Sequence, residues 1–342
     1  MRFTTVPTIK EVAKAAKVST ATVSRIVNGV AFGYSAETKA KVLTVIDELG
    51  YTPNTIARTM ITRKSCTIGV LLPDLISMFS SCILEGVETA AAQARRNVVI
   101  SHTESKGHRT MDYLRVMAEK RVDGIIFVSE VLRPEYRDFV LRRSIPLVLL
   151  ATEAPGSEIP FVKVNDEKAA FDGTAFLLGL GHKGVAMISG SKDDQIAGVP
   201  RIRGYRRAME EKEAGGALPP LVIDAEGFRF EDIVCVEGAI DDALHEYSAF
   251  FCASDELAAG LLNYALRRGL RVPEDLSILG FDDLPITTMV TPALSTVKQP
   301  LRELGILAAE MIVDIQEGAP PGGGRYLPHQ VIARESTSTR KG

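Results

Sequence analysis

A group of small polar side chains and one arginine lies near the N-terminus, where a helix is expected to begin. These side chains can hydrogen-bond to base edges or phosphate oxygens, and one of them offers a methyl group to thymine. The group comprises Ser19, Thr20, Ala21, Thr22, Ser24 and Arg25. Presented together by one helix, it is suited to reading the major groove of DNA. A surface helical hairpin without a ligand is the alternative interpretation.

Two short helices and a tight turn must position this group. Their apolar residues recur at helical spacing: Ile9, Val12, Ala13, Ala16, Val23, Ile26 and Val27. Ser19 is a suitable N-cap for the second helix, because its hydroxyl can accept from a backbone N–H of the first turn. A third helix is predicted from Ser35 or Ala36 to Leu49, and Gly50 should end it. Three such helices can bury a small core.

The composition indicates a globular chain of two or three compact units, since its 342 residues are 46% hydrophobic and 24% charged. No apolar run approaches the ~20 residues of a membrane span, and no signal-peptide pattern occurs. The cysteines lack metal-type spacing, so free thiols are expected at Cys66, Cys82, Cys235 and Cys252. We expect a cytoplasmic, nucleoid-associated protein with no membrane partner.

The net charge of −3 hides an asymmetry along the chain. Residues 1–64 carry ten Lys or Arg and four Asp or Glu, a balance of +6, which leaves −9 for the remainder. A basic head on an acidic body fits an anionic polymer that is bound at one end only, with an affinity that falls as salt rises.

From residue 68 onward, short apolar runs alternate with amphipathic helices. We interpret eight runs as buried strands: 68–72, 97–101, 124–128, 147–150, 185–188, 221–223, 249–252 and 276–279. Parallel strands with helical crossovers form doubly wound α/β sheets, and eight strands exceed what one such sheet comfortably holds. We therefore expect two similar lobes, with a ligand cleft at the carboxyl ends of their strands.

Residues 8–29 and the later Leu49-Gly50-Tyr51-Thr52-Pro53-Asn54 resemble the DNA-binding head of the lac repressor (LacI/GalR) family. Further motifs follow in family order, among them Ala253-Ser254-Asp255 and Gly280-Phe281-Asp282-Asp283. The resemblance covers essentially the whole chain. It implies a three-helix helix-turn-helix DNA-binding head at 1–52, a hinge helix and linker at 53–67, and a two-lobed, periplasmic-binding-protein-like effector domain of doubly wound parallel sheets at 68–342.

The same resemblance implies three crossings between the lobes, near Asn165, near Pro292 and near 322–324. The first lobe should then contain residues 68–163 and 293–321, and the second lobe residues 164–292 and 322–342. Residues 68–342 as a whole should form the effector-binding and dimerisation domain, with the effector cleft between the two lobes.

For the head, the resemblance implies that Thr20, Ala21 and Arg25 face base edges. Phosphates should be held by Ser19, Thr22, Ser24 and Asn28. Further DNA contacts are expected from Thr8, Tyr51, Asn54, Ala57, Arg58 and Met60. In the family, the hinge helix pairs across a dimer and wedges an apolar side chain, here Met60, into the minor groove. An interdomain linker without a DNA role is the alternative for this segment.

For the cleft, Arg201 and Asp282 match a family arginine and acid that can clamp a polyol, since one donates and the other accepts. Other effector contacts are expected from Asp74, Ser77, Met78, Phe79, Arg229, Ser254, Asp255 and Phe281. Arg229 occupies a position that is often aromatic in sugar-stacking relatives. An added cation there suggests an anionic effector, such as a sugar phosphate or sugar acid.

Residues 179–184 spell the dinucleotide fingerprint G-x-G-x-x-G, but in a reversed context. A helical run precedes the glycines and a strand follows them, whereas a phosphate cradle needs the opposite order. We interpret the motif as a helix end and turn. The histidines show no metal-ligand spacing, and neither a G-x-S-x-G elbow nor a P-loop occurs. The sequence thus predicts no enzyme, no metal site and no cofactor.

Together these features predict a homodimeric transcriptional regulator, acting as a repressor of carbohydrate metabolism genes. Its partners should be double-stranded operator DNA and a small sugar or sugar-phosphate effector. Two alternatives stay open. Residues 73–79 and 289–297 resemble the catabolite-control subgroup of the family, whose corepressor is a phosphorylated carrier protein. The other alternative is a cytoplasmic sugar-binding protein without a regulatory role.

Overall fold

The computed structural model describes residues 7–27, 29–30, 32–51, 65–103, 109–213 and 218–340. Two compact units divide between Ser65 and Cys66. The first unit is helical, and the second contains two six-stranded sheets. Over these ranges, no helix is both long and apolar enough to cross a membrane.

The first unit, or head, contains α1 (Ile9–Ala16), α2 (Thr20–Val27) and α3 (Ala36–Leu49). The buried core of the head consists of Val12, Ala13, Ala16, Val23, Ile26 and Val42. The bounds predicted for α3 are confirmed. Ser35 Oγ accepts from Thr38 N–H at 3.1 Å, and Gly50 ends the helix in the left-handed conformation with φ 61°.

The second unit, or body, begins with the elements of the first lobe. These are β1 (Thr67–Leu72), α4 (Met78–Gln93), β2 (Asn97–His102), α5 (Thr110–Glu119), β3 (Gly124–Val128), α6 (Pro134–Leu141), β4 (Leu147–Leu150) and β5 (Phe161–Val164). Strands β3 and β4 are buried over their whole length. This burial explains why they read as continuous apolar runs.

The second lobe follows along the chain. It contains α7 (Asp166–Gly179), β6 (Val185–Ser189), α8 (Gly198–Glu213), β7 (Leu221–Asp224), a 3₁₀ helix (Phe230–Val236), α9 (Glu237–Ala243), β8 (Ala249–Cys252), α10 (Asp255–Arg267), β9 (Ser277–Asp282), α11 (Ile286–Met289) and β10 (Ser295–Lys298). The last elements are α12 (Leu301–Gln316), β11 (Arg325–Leu327) and β12 (Gln330–Ile332).

The strand order is β11-β5-β4-β3-β1-β2 in the first sheet and β12-β10-β9-β8-β6-β7 in the second. Every pairing in the two sheets is parallel except that of β12 with β10. The predicted doubly wound architecture is therefore confirmed. In both sheets the carboxyl ends of the parallel strands are the expected place for a ligand.

The crossings between the lobes differ from those predicted. The first falls at Asn165 as expected, between β5 and α7. The second lies at residues 299–300 rather than near Pro292, because β10 pairs with β9 in the second sheet. The third lies at residues 328–329 rather than at 322–324, because β11 still pairs with β5 of the first sheet. Residues 293–298 thus belong to the second lobe, and residues 322–327 to the first.

Helices α4 and α12 of the first lobe pack closely through two glycines. A Cβ on Gly86 would collide with the carbonyl oxygen of Arg302, and one on Gly305 would collide with that of Ile83. This close approach lets α12 return to the first lobe and cover the apolar core between α4 and the sheet.

The G-x-G-x-x-G motif lies where the reversed-context interpretation placed it. Helix α7 ends at Gly179, Gly181 turns the chain with φ +90°, and β6 begins at Val185. The N–H of Gly181 donates to the carbonyl of Leu178 at 3.1 Å. The glycines therefore form a helix end and turn, as predicted.

Candidate functional site

The helix-turn-helix segment is fixed by its local capping bonds. The carboxylate of Glu11 accepts from the backbone N–H and the hydroxyl of Thr8, at 2.6 and 3.0 Å, and these bonds lower the pKa of Glu11. Lys17 ends α1 in the left-handed conformation, with φ 56°. Ser19 Oγ accepts from Thr22 N–H at 3.1 Å and lies 2.9 Å from Thr22 Oγ1. Ser19 is thus the N-cap predicted for α2.

The start of α2 leaves a polar strip open to solvent. Ser19, Thr20, Ala21 and Arg25 are exposed, and Thr22 and Ser24 are half-buried. The opposite side of the helix is held by Val23 and Ile26, which are 0% and 5% exposed. The side chains expected to face base edges therefore lie on the outer side of the head.

Arg25 extends over the loop between α2 and α3. A Cβ on Gly33 would lie 2.8 Å from Arg25 Nη1, and Gly33 has φ +91°. The backbone conformation therefore favours glycine, and a Cβ at this position would push the end of the Arg25 side chain aside. The guanidinium expected to read a base therefore lies against the loop at Gly33.

Other predicted DNA contacts have different surroundings. Tyr51 is half-buried and packs against the core of the head. Thr8 is exposed, but its hydroxyl is bonded to Glu11. Five predicted contacts lie outside the described residues: Asn28, Asn54, Ala57, Arg58 and Met60. The same holds for residues 52–64, and so for most of the segment expected to form a hinge helix.

In the second lobe, Arg201 of α8 is buried and paired on several sides. Its Nε and Nη2 donate to Asp166 Oδ1 at 3.1 and 3.0 Å, and its Nη1 donates to the carbonyl of Ala253 at 2.5 Å. Its Nη2 lies 3.9 Å from Asp282 Oδ1, and the guanidinium stacks 3.8 Å from the centre of the Phe281 ring. The predicted pair of Arg201 and Asp282 thus exists, but Asp166 is the main partner of the arginine.

Asp282 ends β9 in an unusual and buried position. Its φ is +116°, a region that side chains rarely adopt and that costs about 1–3 kcal/mol. Gln299 Nε2 donates to Asp282 Oδ1 at 2.7 Å. Burial raises the pKa of Asp282 to about 7, although the nearby Arg201 opposes this shift. Near neutral pH the carboxyl group can therefore either donate to a hydroxyl or accept from one.

Ser254 and Asp255 bond within the second lobe. Asp255 is fully buried, accepts from Thr296 Oγ1 at 2.6 Å and from Leu284 N–H at 2.7 Å, and has its pKa raised by burial. Ser254 donates to the carbonyl of Phe228 at 2.6 Å and caps α10. An effector that contacted either side chain would have to replace one of these bonds.

In the first lobe, the four predicted contacts follow β1. Ser77 Oγ caps α4 by accepting from the N–H three residues later, at 3.2 Å. Met78 and Phe79 are half-buried and pack against the apolar core of this lobe. Asp74 is paired across the lobes with Arg229, whose Nη2 lies 2.5 Å from Asp74 Oδ2. The cation expected at Arg229 is therefore present, but its charge is already paired with the carboxylate of Asp74.

Several polar residues near the strand ends were not identified from the sequence. Lys163 Nζ lies 3.4 Å from carboxylate oxygens of both Asp166 and Glu153. Burial raises the pKa of Glu256, and the nearby Arg229 opposes this shift. Asp166 directly follows Asn165, the N-cap of α7. Acids are common in the first turn of a helix, so this position alone did not indicate a functional residue.

Comparisons with known proteins show the family and the fold of the chain. Residues 8–54 match the bacterial regulatory proteins of the lacI family, and residues 174–337 match a periplasmic binding protein-like domain. The catabolite control protein A of Priestia megaterium is 34% identical over 334 residues, which cover 96% of this chain and 99% of that protein.

Two solved structures extend the match to three dimensions. The lac repressor dimer bound to operator and the anti-inducer ONPF has a TM-score of 0.85 at 26% identity, covering 97% of this chain and 99% of that chain. The complex of the transcriptional regulator CelR with cellobiose has a TM-score of 0.69 at 26% identity, covering 96% and 99%. The predicted fold is thereby confirmed, and the chain belongs to the LacI family of bacterial transcriptional regulators.

Proposed function

We propose that the protein is a homodimeric repressor of carbohydrate metabolism genes that binds operator DNA through α2. The capped and exposed start of α2 carries this proposal. There Thr20, Ala21 and Arg25 present short donors, a methyl group and a guanidinium at a helix N-terminus, where phosphates also bind well. A dimer would place two such helices in major grooves about 34 Å apart, one turn of DNA.

The effector binds between the lobes, at the carboxyl ends of the strands. Arg201 and Asp282 offer a donor and a titratable acceptor there, which suits the hydroxyl groups of a sugar. The similarity to CelR, described in complex with cellobiose, supports a sugar-type effector. Such a ligand changes DNA affinity only if it binds two lobe arrangements with different affinity.

A gel-shift experiment tests this function. The full chain is titrated onto the DNA upstream of its own gene and onto random DNA, with and without cellobiose and other sugars. We expect a sequence-specific complex whose affinity changes with one of the sugars. A protein that binds neither DNA would contradict the proposal.

Arg25→Ala tests the role of α2 in the same assay. The substitution should cost about 1–3 kcal/mol of specific binding, because a guanidinium that reads a base contributes that much. Lys41→Ala, which removes one exposed cation from α3, is the matched control and should cost less. If Arg25→Ala weakened operator and random DNA equally, Arg25 would contact phosphate rather than a base.

The similarity to catabolite control protein A favours a second candidate, regulation by a protein corepressor. In that case no sugar would change the affinity for the operator. A phosphorylated carrier protein would instead strengthen the complex in the gel shift, and its unphosphorylated form would not.

A further inference from the structure

An ion pair joins the two lobes of the body, between residues that follow the carboxyl ends of β1 and β7. Asp74 follows β1 in the first lobe, and Arg229 precedes the 3₁₀ helix in the second. Arg229 Nη2 donates to Asp74 Oδ2 at 2.5 Å, although 155 positions separate the two residues in the chain. None of the three crossings between the lobes is adjacent in the chain to either residue. The two side chains therefore form a bridge of their own.

Each partner of this bridge is held by its own backbone. Asp74 Oδ1 accepts from the N–H of Ile76 at 2.8 Å, which leaves Oδ2 for the arginine. The N–H of Arg229 donates to Asp232 Oδ2 at 2.8 Å, at the start of the 3₁₀ helix. Burial disfavours the ionised form of Asp74, but the bonds from Ile76 and Arg229 outweigh it and lower its pKa. The carboxylate is thus an anion fixed in place.

The surroundings of Arg229 are rich in carboxylates. Glu231 Oε1 lies 3.6 Å from Arg229 Nη1. Glu256, at the start of α10, also lies near Arg229, and the charge of this arginine opposes the rise that burial causes in the pKa of Glu256. Within the described residues, three acids therefore share this one cation, and an anionic ligand would meet their repulsion.

The other cations of the cleft walls are arranged in the same way. Arg201 pairs with Asp166 and Asp282, and Lys163 pairs with Glu153 and Asp166. A ligand phosphate or carboxylate would have to displace a protein carboxylate at each of them. In the sequence, Arg229 suggested an anionic effector. This expectation loses its basis, because the charge of Arg229 is already paired with the carboxylate of Asp74.

We propose that the carboxylate of Asp74 is a built-in anionic ligand of Arg229. This ion pair joins the lobes and fills the place where an acidic group of an effector would otherwise bind. The cleft of the unmodified chain then contains no anion subsite at Arg229. As far as it concerns effectors, this inference rests on the proposed effector site, whereas the bridge itself does not.

Substituting the carboxylate by an amide tests the proposal with inorganic phosphate as the probe. Asp74→Asn keeps an acceptor for Ile76 N–H but removes the charge that balances Arg229. Phosphate should then stabilise this variant of the full chain at a concentration about tenfold lower than it does the unmodified chain, as one charge-assisted pair allows. Melting temperatures in phosphate and in chloride at matched ionic strength measure the effect.

Asp275→Asn is the matched control. Asp275 also accepts from a backbone N–H and from a guanidinium, both of Arg271, but this pair lies within one lobe and before β9. The control should respond to phosphate as the unmodified chain does. Arg229→Gln should lose the bridge and remain insensitive to phosphate, since it lacks the cation.

Small-angle scattering provides the second measurement. Without phosphate, Asp74→Asn should have a larger radius of gyration than the unmodified chain, and phosphate should restore it. Equal phosphate responses in Asp74→Asn and the unmodified chain would overturn the proposal. Tight phosphate binding by the unmodified chain, lost in Arg229→Gln, would overturn it too, even if Asp74→Asn did not fold. Gel shifts on the same samples report DNA binding separately, so the two proposals can fail independently.

Discussion

Arg201 is a buried cation whose charge is balanced inside the second lobe. Its three guanidinium nitrogens bond or lie close to Asp166, Asp282 and the carbonyl of Ala253. Removal of one partner from such a group leaves unpaired charge in a region that is largely shielded from water. The energetic cost is therefore larger than the strength of the ion pair itself.

Arg201→Leu should accordingly lower the free energy of unfolding of the body by about 3–5 kcal/mol. Arg207→Leu, on the same helix, should cost less than about 1 kcal/mol, because Arg207 is half-exposed and pairs with Glu167 at the surface. Urea denaturation followed by circular dichroism measures both variants. Similar losses in the two would contradict the role assigned to Arg201.

Asp282 should make stability depend on pH in a defined direction. Burial raises its pKa from an ordinary 3.8 to about 7 in the folded chain, so between these values the folded state holds a proton that the unfolded state has lost. The free energy of unfolding should therefore fall as pH rises toward about 7, and then level off. Asp255 and Glu256, whose pKa values are also raised by burial, act in the same direction.

Asp282→Asn should make the free energy of unfolding depend less on pH. The amide cannot titrate, but its oxygen still accepts from Gln299. Urea denaturation between about pH 5 and pH 8 covers the relevant window. The control is Asp275→Asn, since the pKa of Asp275 is lowered to about 2 by its bonds from Arg271 and it does not titrate there. An unchanged slope in Asp282→Asn would show that Asp282 is ionised in the folded chain.

Among the elements of the head, the loop after α2 affects the position of Arg25 on that helix. Gly33 and Gly50 both have positive φ, but a Cβ would meet the Arg25 guanidinium only at Gly33, whereas nothing lies within 4 Å at Gly50. Gly33→Ala and Gly50→Ala should each destabilise the head by about 1 kcal/mol. Only Gly33→Ala should displace Arg25.

Fluorescence anisotropy with operator DNA separates these two effects. Gly33→Ala should weaken specific binding further than Gly50→Ala does, at temperatures where hydrogen exchange shows both heads to be folded. Equal affinities of the two variants would mean that the loop does not position Arg25.

Local sequence signals were sufficient to predict some helices and strands but not others. The bounds of α3 were predictable because Ser35 is a strong local start signal and Gly50 a strong stop signal. Strand β10 was not identified, since Ser295, Thr296 and Lys298 are polar although three of its four residues are buried. Its hydroxyl groups are satisfied by distant partners, such as Asp255, and no local pattern reports such bonds.

The cleft was predictable to a similar extent. Arg201 and Asp282 were found because they match family positions, whereas Asp166 lies 35 residues from Arg201 and was missed. The pairing of Asp74 with Arg229 spans 155 positions. Residue types indicate the chemistry that a site can have, but the folded chain decides which charges neutralise one another.

For the whole molecule, the uneven charge distribution predicts two different responses to salt. Residues 1–64 have a balance of +6, and the remainder has −9. Operator affinity should fall about a thousandfold between about 50 and 200 mM KCl, as expected for six or more phosphate contacts. Effector affinity should change little, because a sugar releases no counterions. Anisotropy and calorimetry over the same salt series measure the two, and parallel slopes would contradict this assignment.

The late third crossing between the lobes has a consequence for synthesis on the ribosome. Strand β11 completes the first sheet and β12 completes the second, so each sheet lacks a strand until residues 325–332 have been made. Helix α12, which covers the first lobe, is also translated after nearly all of the second lobe. The head, in contrast, draws its core from residues 12–42. Because domains generally fold as they emerge, the DNA-binding head should be folded on the nascent chain well before either lobe of the sensor is complete.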